Sequence, residues 1–548
     1  MNMSKRFLTF LRAGLLSLPV LLSAACSKDA DNGPSLLSVQ VMQSEVVLPE
    51  GGTAGLAFRV LESDYAFQTD VNAPDCAVSL VTASNRSPEH VRLVRVERQA
   101  EAGTYFATLG GDNSGETIRE DLHLRIRGAD GNVVLSGQFT VRSEEKPVEP
   151  SYFDTGLPVV SINTEKPVTS KDEYVSGTFR IEGPDGLESV TCQVRGRGNT
   201  TWAWPKKPYL VKFDQKQSLF GMPKHKRWIL LANFMDRTMM RNLVAMKVSS
   251  MTALDWTPRC QSVELVLNGK HVGNYLLIEQ VRVDKDRVPV TEMKAQDIEG
   301  TAVTGGYLLE LDFHFDNEIQ WLNYHGKMAQ WIQGTNQAVP FGLKYPDPED
   351  VAPEQVSYIK DYVEQTASAL YGADFQDPEK GYAAWLDVDS FIDYWIVFEV
   401  MGNHELGNPG SVYMHKDREG KLIAGPCWDF DWGVLSYKTS PHAKTGLVNG
   451  EAIWYARLFQ DPAFKAKVKA RYEELLPQFQ TIPAYIDGLE KDLEKSAELN
   501  FKLWNPAQDA SQNGGQIING DENMTYHDAV RRLHDIFSER LEVIRRNL

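Results

Sequence analysis

The sequence predicts an α+β protein in two parts, an all-β sandwich followed by a larger domain in which strands give way to helices. Three observations predict it. From residue 36 to about residue 145, short runs of alternating apolar and polar residues recur between turn residues, as in a sandwich. Glu144-Glu145-Lys146-Pro147-Val148-Glu149-Pro150 then breaks the pattern with a charged, proline-bearing linker. From Val159 strands dominate to about residue 312, and helical periodicity takes over after it.

The boundaries follow: a leader over 1–25, a tether over 26–35, the sandwich over 36–145, a linker over 146–155 and the mixed domain over 156–548. Of the 548 residues, 42% are hydrophobic and 24% charged, the proportions of an ordinary globular chain. A formal net charge of -17 argues against a nucleic-acid partner, which requires a basic surface.

In the leader, Lys5 and Arg6 precede an apolar run from Ala13 to Leu22, and Ser23-Ala24-Ala25 precede Cys26. This resembles a bacterial lipoprotein signal cut before Cys26, whose thiol is then acylated. The match departs in one place: Leu22 lies four residues before the cysteine rather than three, and an ordinary secretory signal is the alternative. The run is too short for a permanent membrane span. Ser27-Lys28-Asp29-Ala30-Asp31-Asn32 is a polar, acidic tether like the tags that direct lipoproteins to the outer face of the outer membrane. The expectation is a chain anchored to that membrane through its lipid alone and facing outside, with a periplasm-facing arrangement as the alternative. Cys76, Cys192, Cys260 and Cys427 have no CxxC spacing, so neither a disulfide framework nor a zinc site is predicted.

The sandwich strands are expected at 38–41, 44–47, 54–60, 91–96, 104–109, 122–126 and 133–141. No catalytic cluster falls among them, so this part reads as a spacer or binding module.

In the larger domain, Arg195-Gly196-Arg197-Gly198-Asn199-Thr200-Thr201-Trp202 is either a glycine turn or a loop bringing backbone N–H groups to a phosphate. Pro208 to Phe213 is a strand with Tyr209, Val211 and Phe213 on one face and Leu210 with Lys212 on the other, where the lysine suits a phosphate or solvent. A helix is predicted from Asp236, with Met240, Leu243, Val244, Val248 and Met251 as its apolar stripe and Arg241-Asn242 on its flank. Asn268-Gly269 marks the turn of a hairpin over 263–281. Glu279 and Glu310 are strand carboxylates among apolar residues, and each needs an Arg, a Lys or a metal. Helices are expected over 353–371, over 389–401 (apolar all round, hence buried), from Asp461-Pro462, and over 525–548.

The candidate chemistry lies after the buried helix. Gly402-Asn403-His404-Glu405 opens a polar loop that runs to Ser411, and a rigid helix feeding such a loop suits reacting groups. Trp428-Asp429-Phe430-Asp431-Trp432-Gly433 follows an apparent strand. In an extended chain Asp429 and Asp431 point the same way and Phe430 the other. Two such carboxylates repel unless a proton or a hard cation such as Mg²⁺ lies between them.

The order of these pieces resembles the spore-coat protein H (CotH) kinase family. The matching residues are Arg197-Gly198-Asn199-Thr200-Thr201-Trp202, Pro205-Lys206-Lys207-Pro208-Tyr209, Leu219-Phe220-Gly221-Met222-Pro223, Trp228-Ile229-Leu230-Leu231-Ala232-Asn233, Arg241-Asn242, the hairpin into Glu279-Gln280, and Trp428-Asp429-Phe430-Asp431. They span roughly residues 155 to 545 and leave the sandwich outside. The resemblance implies an atypical, protein-kinase-like fold that uses ATP and Mg²⁺ to phosphorylate protein hydroxyls. It implies that Lys212 holds the ATP phosphates with Arg197 and Asn199, with Glu279 also on the nucleotide side. It implies that Glu405 receives or orients the substrate hydroxyl, and that Asp429 and Asp431, with Ser411, hold the metal. The chain departs from the family pattern twice: Glu405 stands where an Asp is expected, and Ser411 where a metal-binding Asn is expected. A misplacement of about 1 Å costs roughly a hundredfold in rate, so the fold transfers more safely than the activity.

Two other readings stay open. ATP is scarce outside a cell, which favours a catalytically inactive surface protein that binds a protein or glycan. A glycosidase would set two of the carboxylates across an open cleft at about 5–5.5 or 6.5–9.5 Å.

Overall fold

The computed structural model describes residues 38–548 except 50–51, 62–67, 74–75, 112–117, 129–130, 144–154, 183–185, 315–317, 326–337 and 505–518. The leader, Cys26, the tether and most of the expected linker lie outside the described residues. The chain divides into two compact units, Met1–Lys146 and Pro147–Leu548.

The first unit is a β-sandwich. One sheet runs Val39–Val41, Thr53–Val60, Thr104–Gly111, Val91–Arg98, and the other Glu45–Leu48, Phe139–Ser143, Arg119–Arg127, Val78–Thr82, with Val133–Leu135 on the edge of Arg119–Arg127. Alternation does the work the sequence predicts: Leu56, Phe58, Tyr105 and Leu109 of one sheet and Leu122, Leu124, Ile126 and Val141 of the other fill one core. Two details differ from expectation. Val78–Thr82 is a strand the sequence reading missed, and the run over 133–141 is two strands, broken at Ser136-Gly137-Gln138.

The second unit opens with a closed barrel. Its strands run in the order Val159–Thr164, Val175–Glu182, Leu187–Gly196, Tyr209–Gln217, His225–Leu231, Lys270–Glu279, Cys260–Leu267. Parallel pairing of Val159–Thr164 with Cys260–Leu267 closes the ring. Tyr209, Val211 and Phe213 point into the barrel core with Trp228, Leu230 and Leu277. On the outside, Leu210, Ile229, Leu276 and Ile278 join the main core of the helical part. Asn268 and Gly269, both with positive φ (52° and 76°), make the hairpin turn between Leu267 and Lys270.

A second sheet follows, in the order Gln320–Asn323, Val339–Tyr345, Tyr307–Leu311, Val412–Lys416, Leu422–Ala424. Around it lie the helices Arg241–Ser249, Pro353–Tyr371, Val388–Val400, Pro462–Phe479, Ile482–Leu503 and Tyr526–Asn547. Val388–Val400 is the central one. Asp387 caps it, accepting from the Ser390 N–H at 2.8 Å, and every residue from Ser390 to Val400 is buried. Its carboxylates are partnered as burial requires: Asp393 takes a bidentate Arg471 at 2.7 and 2.9 Å, and Glu399 meets Arg540 at 2.6 Å.

The helix expected from Asp236 begins instead at Arg241. Asp236 spends its carboxylate on the Thr238 and Arg241 N–H groups, at 3.0 and 2.9 Å, and so holds the preceding turn out of the helix.

Candidate functional site

The site is built by the two loops that leave the central helix and the last strand of the second sheet. At the end of Val388–Val400 the chain turns at Gly402, with φ +60°, and the Glu405 N–H donates to Asn403 Oδ1 at 2.9 Å. The second loop leaves Leu422–Ala424 and reaches Asp429. This stretch is not the extended strand the sequence reading assumed. Asp429 sits in the left-handed region at φ +65°, a strained conformation for a residue other than Gly or Asn. The outcome is nonetheless two carboxylates on one side: Asp429 and Asp431 share a side-chain hydrogen bond, and Phe430 between them is buried against Phe398 of the central helix, ring centroids 4.8 Å apart.

The strained loop is held from several sides. The Phe430 N–H donates to Asn242 Oδ1 at 2.8 Å, and the Gly433 N–H to Asn519 Oδ1 at 3.0 Å. Asn519 Nδ2 donates to the Asp431 carbonyl at 3.1 Å. Arg241 Nε donates to the Val434 carbonyl at 2.8 Å while its two terminal nitrogens pair with Asp236 and Asp521. Arg241 and Asn242 are therefore buried supports of the loop rather than lining of a cleft.

Glu405, Asp429 and Asp431 act on one another electrostatically, so the two loops do bring their acids together. All three are half-buried and keep partial solvent contact. Burial, then the facing charges of Asp429 and Asp431, raises the Glu405 carboxyl well above the usual carboxylate range. Glu405 Oε2 is buried without a hydrogen-bond partner. Burial and Asp429 do the same to Asp431. Asp429 is raised by burial but eased by Arg197.

Arg197 is the cation of this group, its guanidinium 5.6 Å from the Trp428 ring. Gly198, at φ +84°, lets the loop turn there, and a Cβ on it would strike Thr201 Oγ1 at 2.0 Å. Asn199 is exposed, with its Oδ1 3.3 Å from Lys171 Nζ. Lys212 does not stand against the acids. It shares Tyr174 with two other cations: Lys212 Nζ and the Arg195 guanidinium lie 5.7 and 5.2 Å from the ring centroid, and Arg227 donates to the hydroxyl at 3.0 Å. Among the described residues none of these three cations pairs with a carboxylate, so they form a basic patch on the outer face of the barrel. Ser411, half-buried at φ +56°, begins the strand Val412–Lys416.

Glu279 is separated from the group. Its buried carboxylate is taken by Arg259, with contacts of 2.8 and 2.9 Å, and Arg287 lies 3.8 Å away, so arginines are its partners. Glu310 meets Lys344 at 3.0 Å and Tyr413 at 2.7 Å. Glu310 and Asp312 also act on the cluster, Glu310 on Asp429 and Asp312 on Glu405. The sequence reading gave Glu310 an Arg, a Lys or a metal as its partner and did not single out Asp312, although a strand end rich in acids was the signal.

The crowding of these acids tests a metal. Two half-buried carboxylates whose charges oppose one another, with an orphan oxygen on a third, suit a divalent cation between them. Among the described residues no three His, Cys, Asp or Glu side chains stand in ligand geometry around one point. Mg²⁺ needs only one or two carboxylates, the remainder coming from water and phosphate oxygens.

The pH dependence follows. Glu405 and Asp431 have raised pKa values in the folded chain, so from about pH 4, where ordinary carboxyls ionise, rising pH stabilises the unfolded chain relative to the metal-free fold. A metal held there would expel these protons and so bind more strongly as pH rises. Melting temperature measured with and without Mg²⁺ from pH 5 to 8.5 should show a metal-induced rise that grows with pH. An equal or larger rise at pH 5 would contradict this site.

A barrel set on a helical part, with a carboxylate floor and a basic face, defines a kinase-like domain. Residues 194–544 match the family model described as CotH kinase protein, and the chain belongs to that family. No curated protein matches the chain. Among solved structures, the fibronectin(III)-like modules of CbhA from Clostridium thermocellum match at 10% identity and a TM-score of 0.15, over 32% of this chain and 86% of theirs.

Proposed function

We propose that the chain transfers the γ-phosphoryl group of ATP to Ser or Thr hydroxyls of a protein, using Mg²⁺, from a position lipid-anchored through Cys26 on the outside of the outer membrane. The observation that carries this reading is the meeting of Asp429 and Asp431 with Glu405, with Arg197 beside them. Asp429 and Asp431 would hold the metal, with the Ser411 hydroxyl as a further oxygen. The metal supplies charge neutralisation on the phosphates, the main requirement of phosphoryl transfer. Arg197 and the Asn199 loop hold the phosphates on the near side. Lys212, with Arg195 and Arg227, offers positive charge farther along the barrel. Glu405 orients the acceptor hydroxyl.

The test is to titrate the purified chain with ATP in the presence and absence of Mg²⁺ or Mn²⁺, and to follow labelled phosphate into Ser-rich and acidic proteins. Metal-dependent binding and label on Ser or Thr are expected. No metal-dependent binding at millimolar ATP would end the enzyme reading.

The placement of Lys212 away from the acids favours one other reading, a binding protein for protein or glycan without turnover. Partner binding that survives Asp429→Ala would support it.

A further inference from the structure

Beside the acid cluster, the strand Tyr307–Leu311 continues into Asp312-Phe313-His314, of which only Asp312 has entered so far, as a charge acting on Glu405. Asp312 is buried. Its Oδ1 accepts the His314 backbone N–H at 2.8 Å and lies 2.8 Å from His314 Nδ1. A carboxylate at that distance fixes the ring and places the proton on Nδ1, leaving Nε2 with its lone pair. The His314 side chain is 40% exposed, and its ring stacks on Phe313 at 4.1 Å.

Phe313 ties this stretch to the loop that carries Glu405. Its N–H donates to the Pro409 carbonyl at 2.7 Å. A Cβ placed on Gly410 would lie 3.5 Å from the Phe313 ring and 4.0 Å from Glu405 Oε1, so ring, glycine and carboxylate share one spot. The charged and titratable groups around it are Glu310 on the same strand, Tyr413 on the neighbouring strand, Glu405 on the loop, and Arg197, whose charge reaches Tyr413.

We propose that His314, oriented by Asp312, accepts the proton of the hydroxyl that is phosphorylated. The inference rests on the phosphotransfer reading and names the base within it. As the hydroxyl oxygen forms its bond to the γ-phosphorus, its proton passes to His314 Nε2. The bond from the γ-phosphorus to the β–γ bridging oxygen breaks, and the nucleoside diphosphate leaves with that electron pair. The imidazolium then returns its proton to solvent through its exposed edge. A separate base leaves Glu405 its part in orienting the acceptor hydroxyl. Asp312 is a positioning residue here and His314 the catalytic one.

The test compares the full chain with His314→Ala and His314→Gln. Removing a general base lowers kcat by about 10²–10⁴-fold. Both variants should show that loss while Mg²⁺-dependent binding of a non-hydrolysable ATP analogue stays unchanged, and added imidazole should restore turnover in His314→Ala in a saturable way. A second readout needs no turnover: diethyl pyrocarbonate should acylate His314, and the bound Mg²⁺–nucleotide analogue should slow that acylation. Wild-type turnover in His314→Ala, a loss that imidazole does not relieve, or acylation indifferent to bound nucleotide would each overturn the proposal. A wild-type chain that binds no nucleotide overturns the phosphotransfer reading itself, and this inference with it. A chain that transfers phosphate without needing His314 overturns this inference alone.

Discussion

Asp429→Asn is expected to abolish metal-dependent nucleotide binding while raising the melting temperature of the metal-free chain. The two effects have one cause. Asp429 is half-buried, strained at φ +65° and faced by the charge of Asp431, which is a poor arrangement for folding and a good one for a cation. Asn keeps the shape, tolerates the left-handed backbone and can donate to Asp431, so removing the charge relieves repulsion without opening a cavity. The expected gain is about 1 kcal/mol. The expected loss in transfer rate is on the order of 10³-fold, because a catalytic metal supplies several kcal/mol. Asp236→Asn is the contrasting control. That carboxylate is also buried, but it pairs with Arg241 and caps the turn before it, so its loss should destabilise by about 3–5 kcal/mol. Calorimetry and nucleotide titration on both variants decide the matter. If Asp429→Asn melts below the parent chain, Asp429 is structural and the metal assignment fails.

Local rules made much of this fold legible. The Asn268-Gly269 turn, the cap at Asp461, the last helix and the helix over Pro353–Tyr371 are each encoded within a few residues, and each stands where its signal put it. The order of short motifs was enough to indicate the family. What stayed hidden was set by contacts between distant residues. Barrel closure depends on pairing Val159–Thr164 with Cys260–Leu267, about a hundred residues apart. The partner of Glu279 is Arg259, across the hairpin on the neighbouring strand, and nothing in the local pattern distinguished an arginine from a phosphate as that partner. At Asp429 the i, i+2 argument reached the right pairing through the wrong geometry: the side chains meet because the backbone kinks. Lys212 was placed on the outer strand face by alternation, but alternation could not show that Arg195 and Arg227 would join it at Tyr174.

Arg540→Met should cost about 3–5 kcal/mol of stability, the penalty for leaving a buried charge unpaired. Arg540 and Glu399 are both fully buried, 2.6 Å apart, and they join the last helix to the central one. Arg540 also donates to the Ala443 and Gly446 carbonyls, at 2.5 and 2.9 Å. Glu399 accepts the Val448 and Asn449 N–H groups at 2.6 and 2.9 Å. Replacing both ions with methionine removes the stranded charge but still orphans those two amides, each worth about 1–3 kcal/mol when buried without a partner. Glu399→Met/Arg540→Met should therefore recover only part of the loss, unlike ion pairs whose members serve only each other. The effect should also reach the site. Asn449 Nδ2 donates to the Asn403 carbonyl at 2.8 Å, and Asn403 holds the Glu405 N–H. Loosening the Glu399 anchor frees the loop on which Glu405 is presented, so transfer rate should fall in the double variant even under conditions where it remains folded. Urea titration gives the stability terms and phosphate transfer the functional one. A double variant as stable as the parent chain would show that the amides of 448 and 449 find other partners and that this ion pair does not brace the site.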